Sequence, residues 1–275
     1  MYLSRIRLGE SQAARSELVN AMHKGVYGDH QLLWRLFTEE EQRSFLFRHE
    51  QSDGRLAPAG EPIFYVLSRE QPKDTENLFQ VETRPFTPQL TAGQPLEFQI
   101  RVNPTICRQG KRHDILMDAQ QQWLFDELKQ QSLAVTGTKK DFKNNLLDLA
   151  SDTDLERWQA MIENGVYRDE LATRLGRKKI LELALKTISE QALLEWWESR
   201  GKTLGFKCES NVGGLQIDSY LQHRIRGKQT GATFSSVDLS GRLIVEDPDV
   251  FLTHLSQGIG RAKAFGCGLM MIRRI

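Results

Sequence analysis

The chain has 275 residues, of which 39% are hydrophobic and 27% charged, and its formal net charge is +1. This composition excludes a disordered polyelectrolyte and supports one large or two small folded domains. Near-neutrality does not exclude a polyanionic partner, because binding depends on where the cations cluster.

No apolar run reaches the length needed to span a bilayer, and MYLSRIRLGE carries no signal-peptide pattern, so no membrane partner is expected. Cys107, Cys208 and Cys267 lie far apart with no CxxC pair. That argues against a disulfide framework or a zinc site and fits a reducing cytoplasm.

Residues 2–8 alternate apolar and polar side chains and predict a strand. Residues 11–22 predict a helix, and 30–37 a second, short one carrying Leu32, Leu33, Leu36 and Phe37. Strands are expected at 44–49 and 63–68, separated by a loop containing Gly54, Pro58, Gly60 and Pro62, and again at 78–83. The Pro-punctuated stretch RPFTPQLTAGQP then marks a domain boundary.

The second unit opens with a strand at 96–102 and a helix at 118–129. Residues 139–187 are rich in helix formers. A further helix at 190–200 has Ser189 as its N-cap and Gly201 as its stop. Strands return at 205–209, 222–228 and 233–245, the last folded around a turn at Ser240 and Gly241. A helix at 249–257 follows Pro248, and a glycine-rich loop leads to a final strand at 269–273.

Both halves follow a strand–helix–strand–strand–helix–strand order, although in the first half only PKDTEN is available for the second helix. The expected fold class is α+β, with two tandem ferredoxin-like (RRM-like) domains at 1–90 and 94–275 and a helical insertion at about 140–187 in the second. Leu171, Leu175, Ile180, Leu183 and Leu185 give the insertion one apolar face to lay on its host domain. On that basis, joining Gly137 to Ser189 should leave a folded protein.

Three windows are basic and free of acids. Residues 99–113 hold Arg101, Arg108, Lys111 and Arg112; residues 221–235 hold Arg224, Arg226 and Lys228; residues 257–275 hold Arg261, Lys263, Arg273 and Arg274. A single short charge run is usually a solvated face. Three in one near-neutral chain are what phosphate neutralisation requires. On an extended strand, Arg224, Arg226 and Lys228 share one face. The loop with Gly258, Gly260, Gly266 and Gly268 is neither a P-loop nor a dinucleotide fingerprint, since it follows a helix and precedes a strand. Taken alone it is a tight helix-to-strand turn.

These segments resemble a known family. The ending GIGRAKAFGCGLMMIRRI is similar to the C-terminal signature of CasE, the RNA-processing subunit of type I-E CRISPR Cascade complexes. MYLSRIRL, LLWRLF followed by FLFRHE, IRVNPT, KRHDILMDA and VDLSGRLIVEDPDVFL are similar to family segments in family order. Residues 140–187 look like an addition relative to compact members.

The resemblance implies an endoribonuclease that cuts CRISPR precursor RNA on the 3′ side of the repeat hairpin. It implies attack by the 2′-hydroxyl, a 2′,3′-cyclic phosphate product, and no metal or small-molecule cofactor. The implied partners are the repeat hairpin, which is retained as crRNA, and the other Cascade subunits.

Such chemistry needs proton transfer, for which histidine is suited, and a cation or donor for the phosphorane. The residues alone do not choose among the six histidines. The family's Tyr-x-x-His motif resembles Tyr27-Gly28-Asp29-His30 here. It assigns His30 as general acid or base and Tyr27 as its orienting or substrate-contacting partner. His23 is a nearby rival, and Lys24 and Arg35 are candidate cations. His49 alternates with Phe45 and Phe47 and reads as a packed residue, His113 and His223 fall in basic windows, and His254 lies in the last helix.

The expected RNA-binding residues are Arg224, Arg226, Lys228, Arg261, Lys263, Arg108, Lys111 and Arg112. Two other readings stay open on residues alone: a catalytically inactive RNA-binding subunit, and a small-molecule enzyme on the same scaffold.

Overall fold

A computed structural model describes residues 1–37, 44–53, 59–108, 110–131, 137–209, 215–225 and 233–275. The chain divides into two compact units: residues 1–103 together with 200–275, and residues 104–199.

The first unit holds two antiparallel sheets. One is built from β1 (Tyr2–Leu8), β2 (Phe45–Gln51), β3 (Pro62–Ser68) and β4 (Phe79–Pro85), in the order β2-β3-β1-β4. Between β1 and β2 run α1 (Gln12–His23), a 3-10 turn (Gly25–Tyr27) and α2 (Gly28–Trp34). Strand alternation sends Ile6, Phe45, Phe47, Phe64, Val66 and Phe79 to one face, where Ala14, Ala21, Leu32, Leu33 and Leu36 of the helical stretch cover them. The opposite face carries Leu3, Leu46 and Leu67, which cluster with Leu269.

No helix forms between β3 and β4. PKDTEN contains Pro72, and Asn77 takes a left-handed φ of 54°. Instead the Asp74 carboxylate accepts from the backbone N–H groups of Glu76, Leu78 and Phe79 at 3.2, 3.2 and 2.9 Å. This Asx-type loop delivers buried Leu78 and Phe79 to the core in place of a helix.

The other sheet comprises β5 (Pro95–Val102), β8 (Phe206–Cys208), β9 (Leu215–Arg224), β10 (Thr233–Val245) and β11 (Met270–Arg274). Its order is β11-β5-β10-β8, with β9 also paired to β10. Helix α7 (Pro248–Gln257) begins with its proline in the first turn and Asp247 as N-cap. The expected turn at Ser240 and Gly241 is absent: β10 runs straight through, pairing Ser240 with Gln99 and Gly241 with Phe98. The irregularity is a register shift against β9 at Asp238/Leu239.

The second unit contains a hairpin of β6 (Thr105–Arg108) and β7 (Lys111–Asp114), then α3 (Ile115–Gln130), α4 (Lys139–Leu149) and α5 (Asp152–Glu163). Helix α6 (Arg177–Leu204) follows and continues into the first unit. Thr138 and Ser151 start α4 and α5 through capping boxes with Asp141 and Asp154.

The expected start of a helix at Ser189 is corrected. α6 is one 28-residue helix in which Ser189 is internal and donates its hydroxyl to the Leu185 carbonyl at 2.8 Å. Gly201, the expected stop, is also internal. Among the described residues no helix is long and apolar enough to cross a membrane.

The apolar residues of α4, α5 and α6 pack on α3. Leu124 and Leu128 share a buried cluster with Phe142, Leu146, Trp158, Ile162, Ile180, Leu183 and Leu185, and Leu171 and Leu175 pack at its edge. Trp158 Nε1 donates to the Glu127 carboxylate at 2.9 Å. Thus α3 belongs to the core that the added helices build. Joining Gly137 to Ser189 would remove most of that core and cut α6 in its middle. Each fully buried large side chain contributes roughly 1.5–3 kcal/mol, so the shortened protein should not fold as the intact one does. The expected result is dye-accessible apolar surface and a thermal midpoint lower by at least about 10 °C. Intact stability in the deletion would show that α3 is supported elsewhere.

Candidate active site

Tyr27 and His30 are placed by a sharp change of direction after α1. Gly25 has φ of 65°, ending α1, and one 3-10 turn leads directly into α2. The glycines that weaken helix propensity here are therefore what set the geometry. A Cβ on Gly28 would lie 2.0 Å from the Ala21 carbonyl oxygen, so α2 starts against the α1 backbone at a distance only glycine allows. Tyr27 is 41% exposed and His30 is 8% exposed, with their ring centroids 5.3 Å apart. His30 stacks on Phe45 at 5.7 Å and meets Trp34 at 5.4 Å and Phe47 at 6.4 Å.

The glycine-rich loop after α7 comes to the same place. Phe265 lies 6.0 Å from Tyr27 and stacks on Phe234 of β10 at 4.8 Å, and Phe234 stacks on His223 of β9 at 4.6 Å. A row of rings thus runs from His223 to His30. A Cβ on Gly258 would meet the Leu46 side chain at 2.6 Å, so this glycine permits close packing of loop on β2. Two backbone donors of the loop are already engaged: Ile259 N–H donates to the Gly268 carbonyl within the loop at 2.9 Å, and Gly268 N–H to the Arg101 carbonyl of β5 at 2.8 Å.

Beside the row sits a buried ionic cluster. Arg101 Nε and Nη2 donate to the two Asp238 carboxylate oxygens at 2.9 and 2.8 Å, and Ser219 Oγ donates to the same carboxylate at 2.7 Å. Arg48 Nη1 is 3.5 Å from Asp238, and Arg48 also pairs with Glu50. Arg101 Nη1 reaches the His49 carbonyl at 3.2 Å, and His49 Nδ1 lies 2.7 Å from Asp29 Oδ2.

Burial alone would raise the Asp238 pKa. The hydrogen bonds and charge of Arg101, with help from Ser219 and Arg48, outweigh it and hold the carboxyl below its ordinary range. Burial, and then the Arg101 charge, lower the pKa of His223, whose Nε2 is 2.7 Å from Ser236 Oγ. The Cys267 thiol is pushed up to about 12, chiefly by burial, and is no nucleophile at neutral pH.

The structure gathers Tyr27, His30 and the loop bearing Arg261 and Lys263. Arg261 is exposed, while Lys263 Nζ donates to the Gln257 carbonyl at 2.7 Å. Arg224 is exposed at the end of β9, next in sequence to His223. β9 begins at Leu215, earlier than expected, and Arg226 and Lys228 lie outside the described residues. Arg108, Lys111 and Arg112 are exposed on the β6–β7 hairpin of the other unit, Arg108 pairing with Asp118 at 3.0 Å. His23 and Lys24 are exposed. Arg35 is held by Glu17 and Glu76, both at 2.8 Å, which neutralises it as a phosphorane cation.

Sequence reasoning missed Asp29, Phe234, Phe265 and the Arg101–Asp238 pair. It took His49 for a packed residue, yet its side chain is 32% exposed and bonded to Asp29. The alternation of β2 gave the right face for His49 but not its carboxylate partner.

The sequence profile of a family described as "CRISPR associated protein" matches residues 1–274. The chain is 24% identical over 276 residues to the "CRISPR system Cascade subunit CasE" of Escherichia coli (strain K12), covering 99% of this chain and 98% of that protein. It is 27% identical over 288 residues to the "CRISPR-associated endoribonuclease Cse3" of Thermus thermophilus, covering 99% of each. Among solved structures it is similar to Cse3 bound to a 19-nucleotide RNA, with a TM-score of 0.60 and 23% identity, over 99% of this chain and 100% of that one. It is also similar to Cas6e from E. coli K-12, with a TM-score of 0.52 and 19% identity over the full length of both. These likenesses show the fold, two ferredoxin-like domains in tandem.

The cluster makes a stability prediction. Asp238→Ala leaves Arg101 and Arg48 without their carboxylate and should cost about 3–5 kcal/mol in denaturant unfolding. Because the folded-state pKa is depressed, the contribution is present above the unfolded carboxylate pKa near ~4 and is lost as pH falls below it. Asp238→Asn should remove that acid-side loss, and an unchanged pH–stability curve would count against the pairing.

Proposed function

Because the chain belongs to the CasE family of CRISPR-associated proteins, we propose that it is an endoribonuclease that cuts CRISPR repeat RNA on the 3′ side of its hairpin and keeps the product as a Cascade subunit. The observation that carries this reading is the pairing of half-exposed Tyr27 with His30, 5.3 Å apart at the start of α2, under the loop that bears Phe265, Arg261 and Lys263. A histidine suited to proton transfer and a phenol thereby lie beside the loop that carries two cations.

RNA carries its own nucleophile, so no metal is required in this reading. The 2′-hydroxyl loses a proton as it attacks phosphorus, the 5′ oxygen gains one as it leaves, and the product is a 2′,3′-cyclic phosphate. His30 transfers a proton, and Tyr27 holds it in register or bonds a phosphate oxygen. Arg224, Arg261, Lys263, Arg226 and Lys228 neutralise phosphates of the bound RNA. Arg108, Lys111 and Arg112 serve the same end on the β6–β7 hairpin, whose exposed cations suit a duplex backbone.

His30→Ala should slow single-turnover cleavage by ~100-fold or more while leaving hairpin affinity nearly unchanged, and wild-type cleavage should persist in EDTA. Retention of RNA without cleavage by the wild type would turn the reading to a binding subunit. A strict need for a divalent ion, or a block from His23→Ala but not from His30→Ala, would overturn the mechanism.

Affinity supplies a separate test. Arg224→Ala or Arg261→Ala should weaken hairpin binding and lower the slope of log affinity against log salt by about one each. An unchanged slope would place the RNA elsewhere.

A further inference from the structure

Cleavage by the 2′-hydroxyl moves two protons, one off the nucleophile and one onto the leaving group, and His30 accounts for one of them. Resting on the reading above, we propose that His49, oriented by Asp29, is the second proton-transfer residue and takes the proton from the 2′-hydroxyl.

Three contacts fix His49. Its backbone carbonyl accepts from Arg101 Nη1 at 3.2 Å, its ring lies against Phe64 at 4.8 Å, and its Nδ1 is 2.7 Å from Asp29 Oδ2. A carboxylate only accepts, so Nδ1 carries the proton of the neutral ring and Nε2 keeps the lone pair. A ring so oriented is a base whose conjugate acid already has a counter-ion beside it. The side chains of His49 and Asp29 are 32% and 21% exposed, so the pair is partly open to solvent and not sealed in the core.

Its location fits the same reaction. Asp29 immediately precedes His30 in α2. His49 follows Phe47 on the same face of β2, one two-residue step of about 7 Å along the strand, and Phe47 is itself a ring neighbour of His30 at 6.4 Å. Two imidazoles are therefore carried by adjacent elements on either side of Phe47, the His49 ring partly open and the His30 ring beneath Tyr27.

In the step as proposed, His49 Nε2 accepts the 2′-hydroxyl proton while the 2′ oxygen bonds to phosphorus. The bond from phosphorus to the 5′ oxygen breaks, and that oxygen leaves with a proton delivered by His30. One proton is taken and one given, leaving a cyclic phosphate and a 5′-hydroxyl. Asp29 is a positioning residue that acts through His49.

The test is single-turnover cleavage of repeat RNA by the full chain, with either an oxygen or a sulphur at the 5′ leaving position. A sulphur leaving group departs without protonation, so it restores a variant that lacks the acid but not one that lacks the base. His49→Ala is expected to be ~100-fold slower on both substrates and partly restored by added imidazole, while His30→Ala is restored by sulphur. Asp29→Asn should slow the wild type but add nothing to His49→Ala, as expected for a residue acting only through another. His49→Gln, which keeps a donor for Asp29, carries the same test if the alanine variant unfolds in a circular-dichroism melt.

A His49 variant that cuts within about 3-fold of wild type overturns the proposal, and so does restoration of His49→Ala by sulphur, which would make His49 the acid. Wild type that fails to cut in EDTA would instead sink the underlying reading of the site.

Discussion

The Arg101–Asp238 pair is the contact on which the site's geometry hangs. Arg101 comes from β5 and Asp238 from β10, neighbouring strands of one sheet, and both carboxylate oxygens are used. Removing two charges from water is expensive, and a buried pair is tolerable only when its remaining hydrogen-bonding capacity is filled. Ser219 fills it on the acid side and the His49 carbonyl on the guanidinium side. Because His49 belongs to the other sheet, the fork of one arginine orders both sheets. Arg48, buried beside it, adds a second positive charge to the same carboxylate. An apolar replacement of similar volume could match the stability, but it could not hold a strand carbonyl and a neighbouring strand's carboxylate in one fixed plane.

Close approach is the second constraint. Gly28 lets α2 start against the α1 backbone, and Gly258 lets the loop after α7 rest on Leu46. Both tolerances are steric, and both bring ring-bearing residues together: Tyr27 and His30 follow from the first, Phe265 from the second. The glycine-rich loop thus acts through packing and turn geometry, with the N–H groups of Ile259, Phe265 and Gly268 already engaged by backbone carbonyls.

Much of the fold was legible because strand alternation is a local signal. β1, β3, β5 and β11 fall within a residue or two of their expected bounds, and so do α1 and α7. Where the reading erred, the deciding interaction was distant. Ser189 has the chemistry of an N-cap, but its hydroxyl satisfies Leu185 inside a helix that tertiary burial extends through it. Gly241 looks like a turn former, but full pairing with β5 keeps it in a strand. The helix expected at PKDTEN lost to a single carboxylate that bonds three backbone donors. At the site, Tyr27 and His30 were singled out through the family resemblance, and the structure sets their rings 5.3 Å apart. Asp29 with His49, and Arg101 with Asp238, are contacts across strands that no spacing rule reveals.

The row of rings from His223 to His30 has a consequence for the order in which the protein matures. Tyr27 and His30 leave the ribosome early, whereas Phe234 and Phe265 arrive most of a chain length later, and the strand β11 that anchors the loop against β5 comes later still. The first sheet can collapse around its own phenylalanines while synthesis continues. Its two candidate reactive side chains then stand without the surface that frames them. A nascent chain is thus folded at its beginning and incomplete at its centre until synthesis has passed β11.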